Sequence, residues 1–132
     1  MIRFLEVKTT KREEMVEVTR PVRDFVLASG VMEGVLHLWS LHTTCALTVN
    51  EHADPDVAKD MVWKMGELVP KDEGAYRHAE GNSDSHVKTT LFGPGLTLII
   101  DHGDIMLGTW QGVFLAEWDG PRARRIAMKV SS

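Results

Sequence analysis

Histidine changes charge near neutral pH, and either ring nitrogen can carry a proton or bind a metal. The sequence holds six: His37, His42, His52, His78, His86 and His102. His42-Thr43-Thr44 lies between two apolar runs, where the chain is expected to leave a sheet. A histidine there can be oriented through one nitrogen while the other faces a cavity. A core histidine bonded to backbone suits the same position. Residues 76–86 carry His78, Glu80, Asn82, Asp84 and His86. Imidazoles and carboxylates are ligands for zinc and similar ions, and three of them plus water make an open catalytic site. His78 and His86 lie eight apart, not at the i, i+4 spacing of a helical zinc motif. They converge only if the loop folds back; otherwise this is a solvated polar loop.

Other residues offer weaker chemistry. Glu51, in Asn50-Glu51-His52, suits a general base if it is buried near a metal-bound water. It equally suits a solvated strand-to-helix turn. Gly108-Thr109-Trp110-Gln111-Gly112 suggests a bulge or a close backbone approach, but lacks the lysine and length of a phosphate-binding loop. Trp110 there reads as packing. Asp119-Gly120-Pro121 is a turn followed by Arg122, Arg124 and Arg125. Arginine forks bind phosphate or carboxylate bidentately; a charged strand end or a subunit contact is the alternative. His37, His52 and His102 have no partner in the pattern and read as structural or exposed.

The elements that must position these groups follow from periodicity. Residues 2–8 alternate as a strand, and residues 11–14 form a polar turn. Thr19-Arg20-Pro21 opens a helix that Gly30 stops. Residues 35–42 and 45–51 are strands. Asp54-Pro55 starts a second helix, with Val57, Met61, Met65 and Leu68 near one face, and Pro70 ends it. Residues 71–85 form a long loop of the kind that often carries function. A short helix over 84–92 stops at Gly93-Pro94. Strands are expected over 96–100, 105–107, 111–118 and 122–130, with a turn at His102-Gly103-Asp104. The order predicts a single α+β domain with a mainly antiparallel or mixed sheet and two or three helices.

The 132 residues suit one domain with its own core. The single cysteine, Cys45, excludes a disulfide scaffold. The net charge of −4 argues against a nucleic-acid coat. No apolar run approaches a membrane span, and charges interrupt the first residues, so no signal peptide is expected and a cytoplasmic protein is.

Three blocks together resemble a known family. His42-Thr43-Thr44-Cys45-Ala46-Leu47-Thr48-Val49-Asn50-Glu51 with Ala53-Asp54-Pro55-Asp56-Val57 is similar to the central motif of the YjbQ-like family, often described as secondary thiamine-phosphate synthases. His78-Ala79-Glu80-Gly81-Asn82, Asp84-Ser85-His86 and Leu91-Phe92-Gly93-Pro94 resemble its second block. Gly103, Leu107-Gly108-Thr109-Trp110-Gln111 and Asp119-Gly120-Pro121-Arg122 resemble its third. Gly95 stands where the family usually has serine, and Cys45 and Ser85 where alanine is common. Each is a small residue for a small one, and the alanine argues for a packing role at Cys45.

The resemblance implies an α+β fold that assembles as a homotrimer through its sheets. It implies a polar cleft with His42, His78 and His86 as ligands of a zinc or other transition ion. Glu51, Glu80 and Asp84 are then acid/base candidates. Asn50, Asn82, Thr109, Trp110, Gln111 and Arg122 are substrate-binding candidates, with Arg122 the anion binder. The implied reaction joins a pyrimidine diphosphate to a thiazole phosphate and releases pyrophosphate. Such chemistry usually uses magnesium held by carboxylates, whereas three histidines favour a transition metal. The expected activity is therefore an enzyme on a small phosphorylated or other anionic substrate. A metal-dependent hydrolase and a non-enzymatic trimeric metal- or metabolite-binding protein are the alternatives.

Overall fold

Residues 112–116 are apolar on both sides of the chain, and a strand of that kind needs cover on both faces. The computed structural model, which describes residues 1–132, supplies it. The elements in chain order are β1 (Ile2–Lys8), β2 (Glu14–Glu17), α1 (Thr19–Ser29), β3 (Gly34–Ser40), β4 (Cys45–Glu51), α2 (Pro55–Leu68), α3 (Ser83–Phe92), β5 (Gly95–Asp101), β6 (Asp104–Ile105), β7 (Gln111–Glu117) and β8 (Ala123–Ser131). Strand β7 is the centre of a three-stranded sheet, β2-β7-β4. One face of that sheet meets a five-stranded sheet, β1-β8-β3-β5-β6, across a core of Leu36, Leu38, Leu47, Val113, Leu115, Ile126 and Met128. The other face carries Ala46, Ala116 and Trp118, covered by Val62 and Met65 of α2 and Phe92 of α3. Every strand pair is antiparallel. None of the three helices is long and apolar enough to cross a membrane.

The helix ends follow their local chemistry. The Asp54 carboxylate accepts the Asp56 N–H at 2.9 Å, and Pro55 occupies a position where no N–H is needed. Gly30 closes α1 in the left-handed region at φ 73°, as expected of a glycine there. The start of α1 is pinned to β7. Val18 N–H donates to the Val113 carbonyl, and the Thr19 hydroxyl accepts the Val113 N–H at 2.8 Å.

Two details differ from the sequence expectation. Residues 14–17 form β2, where only a polar turn ending at residue 14 was expected. Four residues are too few to display a period, and β2 exists because β7 offers it an edge. The strand expected over 105–107 shrinks to the two residues of β6.

The outer face of the five-stranded sheet has no cover. Phe4, Ala127 and Trp39 lie in one row across β1, β8 and β3. Phe4 and Trp39 are exposed, as is Ile99 on β5.

Candidate functional site

The chain leaves β3 at Ser40 and re-enters at Cys45, and the crossing between the two sheets carries His42, Thr43 and Thr44. Opposite it stands the start of α3, with Asn82, and the β7–β8 turn, with Asp119 and Arg122. Together with Leu41, Glu80, His86 and Arg124 they line a cavity of about 310 Å³. A second cavity of about 620 Å³ opens on the other side of His42 and His86. Trp39, Leu41, Thr89 and Pro94 wall it. Trp39 sits there because Gly95 has no side chain: a Cβ on Gly95 falls 2.8 Å from the indole.

Two buried charge networks build the walls. Arg124 is buried on the core side of β8 and pairs with buried Glu117, donating from Nε at 2.8 Å and also from Nη2. Arg124 Nη2 also donates to the Thr44 hydroxyl at 2.9 Å, which fixes the turn after His42. Burial pushes the Glu117 carboxyl up. Hydrogen bonds from Arg124, Thr9 and the Asp119 N–H outweigh that and hold it below the usual carboxylate range. The second network lies under α3. Asp84 is fully buried, accepts from Lys88 at 2.8 Å and from Arg12 at 3.0 Å, and Lys88 also donates to Glu13 at 2.6 Å. The Ser85 hydroxyl donates to the Trp118 carbonyl at 2.5 Å. These bonds clamp the first turn of α3 and so set the position of His86.

Polar groups facing the smaller cavity are held with similar care. Asp119 organises two of them: its Oδ2 accepts from Asn82 Nδ2 at 2.8 Å and from Arg122 Nη2 at 3.0 Å. Arg122 Nε donates to the Asp119 carbonyl at 2.7 Å, so the guanidinium is held on one edge and free on the other. Asn82 is buried, and its Oδ1 has no hydrogen-bond partner. His42 is half-buried, and its Nε2 accepts the Arg125 N–H at 2.8 Å. Burial lowers the His42 pKa, and Arg124, Arg122 and Arg125 lower it further against the opposing pull of Glu117. The neutral ring therefore carries its proton on Nδ1, free to donate.

The sequence-predicted residues divide into groups. His42, His86, Glu80, Asn82 and Arg122 come together around one cavity. His78 does not line it. Its ring stands edge-on to His86 with centroids 5.5 Å apart, and its Nε2 lies 3.6 Å from the exposed Glu80 carboxylate. Asp84 is nearby but sealed in its ion pairs, so it positions α3 and has no face for a substrate. Asn50 and Glu51 lie at the opposite end of β4, six residues of extended chain or about 20 Å from Cys45. Thr109, Trp110 and Gln111 are at that far end too, because Gln111 pairs with Glu51 and Glu117 with Cys45. Cys45 is wholly buried, and burial pushes its thiol up to about 12, which leaves it protonated and inert. His52 gains a partner the pattern did not offer, Glu17, at 2.7 Å.

No group of three or more histidine, cysteine, aspartate or glutamate side chains is arranged to hold an ion. The His42 Nε2 lone pair is engaged by backbone, and the Nδ1 of the same ring carries the proton. His78 and His86 stand with ring centroids 5.5 Å apart, and the His42 Nε2 is the nitrogen that accepts the Arg125 N–H.

Sequence reasoning did not select Asp119, Arg124, Thr89 or Trp39 as site residues. Arg124 carried a signal: it shares the apolar register of β8 with Ile126 and Met128, so a buried carboxylate had to meet it. Asp119 carried one as well, three residues before Arg122 across a Gly-Pro turn.

The comparisons with known proteins agree with this architecture. The family model for the UPF0047 protein YjbQ-like family matches residues 3–132. The UPF0047 protein YugU of Bacillus subtilis is 42% identical over 130 residues, covering 98% of each chain. The UPF0047 protein MJ1081 of Methanocaldococcus jannaschii is 43% identical over 125 residues, 95% of this chain and 90% of that one. A crystal structure of a YjbQ/UPF0047 family protein from Clostridium acetobutylicum superposes with a TM-score of 0.95 at 39% identity, covering 98% of this chain and 99% of that one. The protein TT1486 of Thermus thermophilus gives 0.89 at 43% identity, covering 98% and 99%. The chain therefore belongs to the UPF0047 YjbQ-like family.

Proposed function

We propose that the cavity shared by His42, His86 and Arg122 binds the anionic group of a small phosphorylated substrate, and that the protein is an enzyme acting on it. The observation that carries this reading is the Asp119 carboxylate, which holds Arg122 and Asn82 against one wall of the cavity. A guanidinium fixed on one edge offers its remaining donors to phosphate oxygens without losing further freedom. The Nδ1–H of neutral His42 is a donor toward a leaving oxygen. His86 and Glu80 are the groups free to move a proton at the opening. The unpartnered Asn82 Oδ1 accepts from a substrate hydroxyl or amine. The neighbouring cavity beside Trp39 accommodates the uncharged remainder of the substrate.

Joining a pyrimidine diphosphate to a thiazole phosphate, with release of pyrophosphate, is the best named reaction of this kind. The metal reading rests on the family resemblance and on the adjacent His78 and His86 rings; metal analysis of the purified protein and of His42→Ala and His86→Ala tests it. A homotrimer is the assembly the resemblance implies, and the uncovered Phe4–Trp39 row supports it. Inorganic pyrophosphate titration of the wild type and of Arg122→Ala tests the central claim. Loss of a charged hydrogen-bonding partner weakens binding by about tenfold or more. Equal affinity in the two proteins refutes the cavity as the anion site. Thiamine phosphate formation from purified substrates, compared between the wild type and His86→Ala, tests the named reaction. Unchanged turnover in the variant refutes the assignment.

A further inference from the structure

The larger of the two cavities beside His42 owes its shape to one cross-strand pair. Trp39 on β3 lies directly opposite Gly95 on β5. A Cβ on Gly95 would fall 2.8 Å from Cε3 and 3.0 Å from Cζ3 of the indole, and 3.3 Å from the Leu38 carbonyl oxygen. The six-membered ring of Trp39 thus packs where a side chain at residue 95 would stand, and it shields backbone that the glycine leaves bare. Trp39 is nevertheless 54% exposed, so the rest of the indole is open. Leu41, His86 and Pro94 stand with it at the cavity wall.

The two cavities differ in charge. Glu80, Asp119, Arg122 and Arg124 line the smaller one, whereas none of the nine residues lining the larger one is Asp, Glu, Lys or Arg. Hydroxyls on the larger cavity's walls are already engaged. Ser40 donates to the Cys45 carbonyl at 2.7 Å, and Thr90 to the His86 carbonyl at 2.9 Å. A charged group entering there loses water and finds no counter-ion. A sugar brings several hydroxyls to walls with few free partners. A flat aromatic ring needs neither, and it stacks or meets edge-on with indole and imidazole. About 620 Å³ is ample for a small organic ligand.

We infer that Trp39, seated on Gly95, determines specificity in this cavity and selects a flat, uncharged aromatic ring as the part of the substrate that lies there. Trp39 touches that ring. Gly95 is a positioning residue, because it sets the indole and meets no ligand itself. An added Cβ at residue 95 displaces the exposed indole rather than the strand, so the wall moves while the fold stays. This rests on the anion reading above only in joining the two cavities, across His42 and His86, into one site.

Benzamide and cyclohexanecarboxamide test it, since they carry the same neutral amide on a flat and a puckered six-membered ring. Each is titrated into nitrogen-15-labelled protein and followed by NMR through the Trp39 indole N–H and the Leu41 backbone N–H. The Trp39 signal is identified among the four tryptophans as the one missing from Trp39→Leu. In the wild type, benzamide is expected to shift the Trp39 signal and to bind about threefold to tenfold more tightly than cyclohexanecarboxamide. Trp39→Phe should keep that preference and Trp39→Leu should lose it. Gly95→Ala should lose it as well, in a protein whose thermal melt shows it folded. General damage to the fold weakens both amides alike and leaves their ratio unchanged. Equal affinity for the two amides in the wild type, binding that leaves the Trp39 signal in place, or an undiminished preference in Trp39→Leu or Gly95→Ala would each overturn the proposal. Both probes are uncharged and make no demand on Arg122. The pyrophosphate titration of Arg122→Ala reports separately on the anion reading, so failure of one claim is distinguishable from failure of the other.

Discussion

Replacing Arg124 by methionine isolates the charge pair beneath the site. Methionine keeps most of the length of the side chain and removes the guanidinium. Glu117, fully buried, then loses its main partner while keeping the Thr9 hydroxyl and the Asp119 N–H. Removing one member of a buried pair costs about 3–5 kcal/mol, because the remaining charge is left uncompensated. Domains of this kind are stable by about 5–15 kcal/mol, so the variant folds with a much reduced margin.

The pH dependence supplies the sharper signature. In the wild type Glu117 lies below the usual carboxylate range despite its burial, so its contribution is present above about pH 4.3 and is lost as pH falls through its lower folded value. In Arg124→Met the largest opposing contribution is gone, only the Thr9 hydroxyl and the Asp119 N–H still act against burial, and the carboxyl is expected to rise above about 4.3. The penalty is then full at neutral pH, and stability from this group recovers as pH falls from the raised value toward about 4.3. Urea unfolding at pH 7 and pH 5 measures both effects. Arg124→Met with Glu117→Gln, which removes the stranded charge but keeps an acceptor for Thr9 and Asp119, should recover most of the loss. A loss below about 1 kcal/mol in Arg124→Met, with the wild-type pH slope, would refute the reasoning.

Other expectations follow from the same geometry. Asp84→Asn removes the buried carboxylate shared by Arg12 and Lys88 and leaves Lys88, which is 1% exposed, with Glu13 as its remaining anionic partner, so it should cost about 3 kcal/mol and lower Tm by several degrees in a thermal melt. His42 should titrate below about 6.5 by NMR, and Arg122→Ala should raise its midpoint, since burial and then the arginines lower it. Because the unfolded state takes up that proton first, the stability contribution of His42 is present at neutral pH and lost as pH falls below about 6.5. Asp54→Ala removes the cap of α2 and should cost about 1 kcal/mol in chemical denaturation, with no change at His42.

Much of this was legible from residue order alone. Proline after aspartate at 54–55, glycine at 30 and alternation at 35–40 act through local sterics and backbone hydrogen bonds, so the helices and long strands needed no tertiary information. The blocks around His42, His86 and Arg122 also carried the family, because their residue types and order are preserved whatever their distances. What distance decides was out of reach. Glu51 and Trp110 sit in motifs as prominent as those of His42 and Arg122, yet the pairing of Glu51 with Gln111 sends them to the far end of the sheet. Asp84 looks like an acid/base candidate by type, but Arg12, seventy-two residues earlier, and Lys88 enclose it. The Asp119 contact with Asn82 exists only once the β7–β8 turn meets the start of α3. Local propensity follows from each residue and its neighbours in sequence. The environment of a charge depends on which distant strand lies beside it, and only the folded chain determines that.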